Sequence, residues 1–168
     1  MLQMSPPISK TLQAALITCL LLTTVACDQA SKSWARSALN GSARQALGGH
    51  VQLILAENRG GFLSLGDQIH PVLREVLFTG GVALALVCGV VWLFARSHTL
   101  ARAVSVALIL GGGFGNVIDR IVRFGAVTDF IFVNCGPLRT GIFNLADVFV
   151  TTGVAALLIA GMFKPGES

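Results

Sequence analysis

Four stretches of the chain are apolar enough to cross a bilayer. They run over about 11–27, 76–95, 103–118 and 142–163; the first three carry no charge and the fourth carries only Asp147. A spanning helix needs about 20 apolar residues, so the third stretch is short. Because lipid offers no partner to the backbone, each stretch should be helical. The pattern predicts an all-α membrane protein, a bundle of four transmembrane helices in one domain over 1–168.

The composition agrees with a membrane protein. Of 168 residues, 54% are hydrophobic and 12% are charged, about half the charged share of a soluble domain. The net charge of +4 fits lipid headgroups better than nucleic acid, because no basic stripe interleaved with aromatics is present. Four cysteines without a CxxC pair and three scattered histidines indicate neither disulfides nor a metal site. We expect no nucleic-acid partner, no metal and no organic cofactor.

The first long connection is more than a linker. The stretch His50–Gly66 begins with roughly alternating apolar residues and contains paired glycines, which predicts a small strand pair. Upstream, 36–47 is predicted to form a short interfacial helix. Together they predict a small extramembrane β platform over about 31–75.

Counting spans places the polar residues at one membrane face. Four antiparallel spans put the end of the first, the end of the third and the start of the fourth on the same side, where both long connections emerge. Seven of the eight acids fall there, and Glu167 is the exception. Ionisable groups at a membrane boundary are costly and are functional candidates by default. The chemistry is therefore expected at one surface.

Charge counts leave the orientation of that surface open. The polar face carries eight Lys and Arg residues and the opposite face four, which by the positive-inside rule would place the polar face in the cytoplasm. Arg96 and Arg102, however, occupy a very short loop on the opposite face, where their density counts against that reading.

Asp129 and Asp147 are the candidate acid pair. Two carboxyl groups at a dry site cannot both ionise cheaply, so one keeps a proton while the other accepts one. Such a pair can act as general acid and general base on a peptide bond. The alternative is a loop acid at Asp129 and a helix-start acid at Asp147, with Asn144 as the helix cap. Spacing alone leaves both readings open.

Other polar residues have comparable alternatives. Asn116 and Asp119 share a helical face after a glycine-rich stretch, but helix ends are often polar. Asp28 and Lys32 are spaced as a helical ion pair. The stretch Ala56–Phe62 offers an amide, two ions and flexible backbone, or a plain hairpin turn. The same acids would also suit a proton relay for transport or a surface that docks a partner.

Five blocks in this order resemble the bacterial lipoprotein signal peptidase (signal peptidase II) family. The blocks are DQASK at Asp28–Lys32, ENRGGFLSLG at Glu57–Gly66, GGGFGNVIDR at Gly111–Arg120, GAVTDF at Gly125–Phe130 and FNLAD at Phe143–Asp147. The resemblance implies a four-helix aspartyl endopeptidase of the bacterial inner membrane. Such an enzyme removes the signal peptide from diacylglyceryl-modified prolipoproteins, just before the lipidated cysteine. Both termini would be cytoplasmic, and the site would lie near the periplasmic face.

The resemblance also assigns residues and partners. Asp129 and Asp147 would be the catalytic dyad. The supporting polar residues would be Asp28, Lys32, Asn58, Asn116, Asp119, Arg120 and Asn144. It implies a monomer without cofactors whose partners are lipid-modified prolipoproteins and membrane lipids. In one departure, the stretch between Asp119 and Asp129 is a residue longer than usual in the family, and Thr128 stands where Val is common, which could displace Asp129.

Overall fold

The computed structural model describes residues 9–39, 41–60 and 70–162. Its long helices are α1 (Lys10–Ala38), α2 (Pro71–Ala95), α3 (Leu100–Val122) and α4 (Leu145–Met162). Each is long and apolar enough to cross a membrane, so the predicted four-helix bundle is confirmed. A π-helical segment, Val76–Gly81, interrupts α2.

Helix α3 lies between the other helices because its glycines allow close approach. A Cβ atom on Gly112 would lie 2.8 Å from Cγ2 of Val150 in α4, and one on Gly111 would lie 2.8 Å from Cβ of Thr24 in α1. Small residues at such contacts let backbones pack closely in lipid. Within the bundle, the buried apolar residues are Ile17, Leu86, Leu93, Ala103, Ala107, Leu110 and Val117.

A small antiparallel sheet sits at one end of the bundle. Its strands are β1 (Arg44–Ala46), β2 (Val51–Asn58), β3 (Val127–Cys135) and β4 (Leu138–Arg139), in the order β1-β2-β3-β4. The register of β2 on β3 shifts by one residue between Leu53 and Ala56. This is the β-bulge geometry, which can re-aim neighbouring side chains. The predicted small sheet is therefore confirmed, although two of its four strands lie outside the predicted range of 31–75.

The prediction of a short interfacial helix over 36–47 is wrong. Helix α1 continues to Ala38 and the segment 44–46 is strand β1. The physical reason is that Ala35 and Leu39 are buried against Phe130 of the sheet. Burying these two residues stabilises the last turns of α1, so a separate helix lying on the membrane surface does not form.

The strand predicted after His50 is confirmed as β2. It pairs with β1 and β3; residues 61–66, the second half of the expected pair, lie outside the described residues. Strand β3, which carries Asp129, was not predicted from the sequence.

Candidate active site

Asp129 lies near the start of β3, and its carboxyl group is buried, with 3% of the residue exposed. The Nδ2 group of Asn58, at the end of β2, donates to Oδ2 of Asp129 at 3.0 Å. The Nδ2 group of Asn144 donates to Oδ1 at 2.7 Å. Each carboxyl oxygen therefore holds one amide donor and keeps a second acceptor position.

Asp147 lies in the first turn of α4, in a reciprocal pair with Asn144. Oδ1 of Asn144 accepts from the backbone N–H of Asp147 at 3.0 Å. Oδ2 of Asp147 accepts from the backbone N–H of Asn144 at 3.2 Å. This is the hydrogen-bond pattern of a capping box. Asn144 therefore caps α4, as the alternative interpretation predicted. Its side-chain amide also contacts Asp129, so the same residue caps the helix and joins the two aspartates.

The two aspartates meet because β3 pairs with the residue before Asn144. The backbone N–H of Ile131 donates to Phe143 O at 2.8 Å, and the N–H of Phe143 donates to Ile131 O at 2.9 Å. This pairing holds the start of α4 against the strand that carries Asp129. Asn144 consequently contacts both carboxyl groups.

Asn116 of α3 links the dyad to a buried cation. Its Oδ1 accepts from Nζ of Lys32 at 2.8 Å and from Nδ2 of Asn144 at 3.1 Å. Its Nδ2 donates to Oδ1 of Asp147 at 3.0 Å. Because an ammonium group can only donate, Lys32 determines which way the Asn116 amide faces.

Lys32 is buried between two acids. Its Nζ lies 2.8 Å from Oδ2 of Asp28 and 3.6 Å from Oδ2 of Asp119, with 0%, 0% and 2% of the three side chains exposed. Buried charges persist in proteins when they are paired and hydrogen-bonded. The predicted helical ion pair is confirmed, and it extends to a third residue on another helix.

The two acids around Lys32 each hold one backbone N–H. Asp28 accepts from the N–H of Ala146 at 3.0 Å, and Asp119 accepts from the N–H of Thr128 at 2.8 Å. Ala146 directly precedes Asp147, and Thr128 directly precedes Asp129. The buried acids therefore position the backbone at both members of the dyad.

Arg120 closes one side of the site. Its Nη2 donates to the backbone oxygen of Gly60 at 3.1 Å, and its charge acts favourably on Asp147 and Asp129. Its Nε is buried and has no hydrogen-bond partner within the described parts of the chain. A buried guanidinium with an unused donor is suited to an additional acceptor.

Burial raises the pKa of Asp129 from 3.8 to about 6. The hydrogen bond from Asn58 opposes this rise, the neighbouring Asp147 carboxylate adds to it, and Asn144 and Lys32 lower the pKa again. A carboxyl group with a pKa in this range can hold a proton near neutral pH, which suits a general acid.

Asp147 also borders an open apolar cleft of about 450 Å³. The cleft is lined by Arg139, Thr140, Gly141, Phe143, Asp147, Val148, Thr151 and Thr152. One wall is the first turns of α4 and the other is the segment that follows β4. A bound chain lying here would pass directly beside the Asp147 carboxyl group.

Sequence reasoning missed Gln29. Its Nε2 lies 3.0 Å from Gly115 O, 3.2 Å from Oδ2 of Asp28 and 3.4 Å from Oδ1 of Asp119, so it joins the same acids as Lys32. Its place in the DQASK block beside Asp28 was the available signal. The longer stretch before Asp129 does not move it away, because a turn with positive φ at Phe124 (52°) and Gly125 (87°) reverses the chain.

All nine residues named from the sequence lie in this one cluster, at the end of the bundle that bears the sheet. No group of three or more His, Cys, Asp or Glu side chains among the described residues could hold a metal ion. The fold and the site thus define a polytopic membrane protein in which amides orient two carboxyl groups, the buried Asp129 and the half-buried Asp147, at one end of the bundle.

Comparison with known proteins gives the family. The sequence profile described as Signal peptidase (SPase) II matches residues 20–163. The chain belongs to the signal peptidase II family and is a membrane peptidase. A lipoprotein signal peptidase from Methylorubrum extorquens (strain PA1) is 37% identical over 142 residues, 83% of this chain and 81% of the relative. The corresponding protein of Methylocella silvestris is 35% identical over 163 residues, 96% of this chain and 90% of the relative.

Solved structures share the fold. A bacterial membrane enzyme determined by the in meso method at 2.3 Å resolution superposes with a TM-score of 0.77, over 92% of this chain and 94% of that one. A second, at 1.9 Å, gives 0.78 over 90% and 95%. Both are 23% identical to this chain.

Proposed function

We propose that this protein is an aspartic endopeptidase that removes the signal peptide from diacylglyceryl-modified prolipoproteins, cutting just before the lipidated cysteine. Its family membership supports the signal-peptidase activity. The observation that carries the aspartic mechanism is the convergence of Asp129 and Asp147 on Asn144. Asp28 and Asp119 also share an amide, that of Gln29, but both are paired with Lys32, whereas Asp147 borders the open cleft.

In the proposed reaction, Asp147 and Asp129 hold one water molecule and one proton between them. Asp147 accepts a proton from the water as its oxygen attacks the scissile carbonyl carbon. Asp129 then donates its own proton to the peptide nitrogen as the C–N bond breaks. The products are a free amine on the cysteine and a carboxylic acid on the signal peptide, so water is the only co-reactant.

The amides serve to hold the carboxyl groups while protons move. Each of the four carboxyl oxygens accepts one N–H donor, from Asn58, Asn116, or the side chain or backbone of Asn144. The remaining lone pairs are available to the water and the shared proton. The free Nε–H of Arg120 is the proposed donor to a carbonyl oxygen of the bound substrate.

The cleft beside Asp147 is the proposed path of the substrate. Its predominantly apolar lining suits a signal helix that arrives within the bilayer, while the lipid on the cysteine stays among lipid chains. We place the site near the periplasmic face of the inner membrane, with both termini in the cytoplasm, and we propose that the enzyme acts as a monomer.

The test is cleavage of a purified diacylglyceryl-modified prolipoprotein by wild type, Asp129→Asn and Asp147→Asn in the same lipid. Glu57→Gln is the matched control, because Glu57 is an exposed acid on β2 and its position pairs with Thr128 instead of with either aspartate of the dyad. We expect cleavage by wild type and Glu57→Gln. Both dyad variants should fold and lose about 10²–10⁴-fold in rate, as expected for removal of a general acid or base.

Two results would count against the proposal. If Asp129→Asn still cuts, the acid assignment is wrong and Asp119 becomes the candidate. If folded wild type cuts no modified prolipoprotein, the acids serve another role. A proton relay would then be detected as flux lost in both dyad variants, and a docking surface as tolerance of both changes.

A further inference from the structure

A second cleft lies at the end of the bundle opposite the candidate active site. It has a volume of about 170 Å³ and is formed where α1 begins, α2 ends and the short loop to α3 starts. Its lining includes the cations Lys10 and Arg96, the apolar Phe94 and Ala95, and the polar Gln13 and His98. It thus combines a basic rim with an apolar wall that belongs to membrane-spanning helices.

The loop that forms this cleft is held in place by side-chain contacts. Nε2 of Gln13 donates to the backbone oxygen of His98 at 3.1 Å, which ties the loop to α1. The His98 ring packs on Trp92 with ring centroids 4.2 Å apart, and its Nε2 lies 3.4 Å from Trp92 O. The cleft is therefore built by specific contacts between two helices.

Its two cations have no acidic partner among the described residues. Lys10 and Arg96 are exposed, and the ion pairs found in the described chain join only Lys32 to its acids. The described acids lie at the other end of the bundle or in the sheet: Asp28, Glu57, Glu75, Asp119, Asp129 and Asp147. Neither α1 nor α3, which both begin here, has an acid in its first turn, so the helix dipoles add to the positive potential.

We infer that this cleft binds an anionic phospholipid, with the headgroup phosphate between Lys10 and Arg96. Basic pockets between membrane helices bind such headgroups, and each Lys or Arg near an anionic surface contributes about 1 kcal/mol. The guanidinium of Arg96 can form paired hydrogen bonds to phosphate oxygens. Next to this rim, Phe94 and Ala95 are exposed on the membrane-spanning part of α2, with Ile17 and Leu93 buried behind them, so they can contact an acyl chain in the bilayer.

A lipid suits the cleft better than a free phosphate because about half of the lining is apolar and cannot interact favourably with a phosphate group. Free phosphate would interact with the basic rim alone and would gain nothing from the apolar wall. A phospholipid places its charge at the rim and its chain on the wall at the same time. The proposal is independent of the catalytic assignment, because no residue of this cleft lies in the candidate active site.

The test is lipid binding to the intact protein in neutral detergent, followed by native mass spectrometry. Phosphatidylglycerol and phosphatidylcholine with the same acyl chains are titrated separately. Arg96→Gln is compared with Arg102→Gln, a matched arginine at the same membrane end that does not line the cleft. We expect phosphatidylglycerol to bind more tightly than phosphatidylcholine, Arg96→Gln to weaken it about five-fold and Lys10→Gln with Arg96→Gln about 25-fold. Arg102→Gln should stay within about two-fold of wild type.

Three results would overturn the inference. Equal binding of both lipids would show that the net charge of the headgroup does not contribute to binding. Equal losses in Arg96→Gln and Arg102→Gln would show a diffuse positive surface instead of a site. Displacement of the lipid by millimolar inorganic phosphate would show that the rim alone binds and that the apolar wall has no role. Because all three residues are solvent-accessible, circular dichroism should report wild-type helix content in each variant.

Discussion

Replacing Gly115 by alanine should disable the site through Asp28. A Cβ atom at this position would meet the Asp28 carboxyl group, 2.9 Å from its Cγ and 3.3 Å from its Cβ. Asp28 is fully buried and is held by Lys32 and by the backbone N–H of Ala146. It therefore cannot turn aside without losing one of these partners.

The expected magnitude follows from the contacts that change. Overpacking a close-packed contact costs about 1–3 kcal/mol. The higher helix propensity of alanine returns up to about 1 kcal/mol. The larger effect should be on catalysis, because Asp28 holds the N–H of Ala146, the residue before Asp147. A displacement of about 1 Å at a reacting group can cost about 100-fold in rate.

Two other glycine variants separate stability from activity. Gly111→Ala crowds the same helix pair one turn earlier, where its Cβ would lie 2.8 Å from Cβ of Thr24, but it contacts no site residue. Gly161→Ala has no heavy atom within 4 Å of its Cβ and should be neutral or slightly stabilising.

Thermal unfolding in detergent and single-turnover cleavage of a modified prolipoprotein measure the two effects. Gly115→Ala and Gly111→Ala should be destabilised to a similar extent. Only Gly115→Ala should show a lower single-turnover rate constant for the folded enzyme. If folded Gly115→Ala cleaves as fast as Gly111→Ala, Asp28 does not position the dyad and the reasoning is refuted.

Three further predictions concern the same cluster. Because the pKa of Asp129 is raised to about 6, the folded protein binds this proton more tightly than the unfolded chain; stability should fall by about 3 kcal/mol as pH rises from about 4 to about 6, and Asp129→Asn should remove that fall in pH-dependent thermal unfolding. Lys32→Met leaves two buried acids without their cation and should cost about 3–5 kcal/mol in the same assay, whereas Lys10→Met, at the exposed start of the same helix, should change stability little. Asn144→Ser keeps a helix cap but removes the donor to Asp129, so it should lose activity with little loss of stability; Asn144→Ala should lose activity and about 1 kcal/mol of stability as well, and active Asn144→Ser would contradict the shared-amide geometry.

The parts of the fold that depend on local composition were predictable from the sequence. The four spans follow from uncharged stretches of membrane length, and their number alone brings Asp28, Asn116 and Asp147 to one face. The ion pair of Asp28 and Lys32 follows from helical spacing. None of these inferences requires knowledge of a contact between distant segments; they require only that successive spans alternate in direction.

The parts that failed depend on tertiary contacts. The position at which α1 ends cannot be predicted from the local sequence 36–47, because its last turns are stabilised by Phe130, more than 90 residues away in sequence. Strand β3 forms because β2 and Phe143 pair with its two edges. Asn144 could be recognised as a helix cap, but its second role depends on a strand that periodicity did not indicate.

The buried charges around Lys32 are better explained by positioning than by stability. Ion pairs buried in place of apolar residues often add nothing to folding free energy, since desolvation offsets their attraction. Here each charged group also makes one contact that an apolar residue could not make. Asp28 and Asp119 each accept a backbone N–H next to a dyad aspartate, and Lys32 sets the direction of the Asn116 amide. A protein that required only a stable bundle could replace all three by apolar side chains, whereas one that must hold two carboxyl groups at a fixed separation could not.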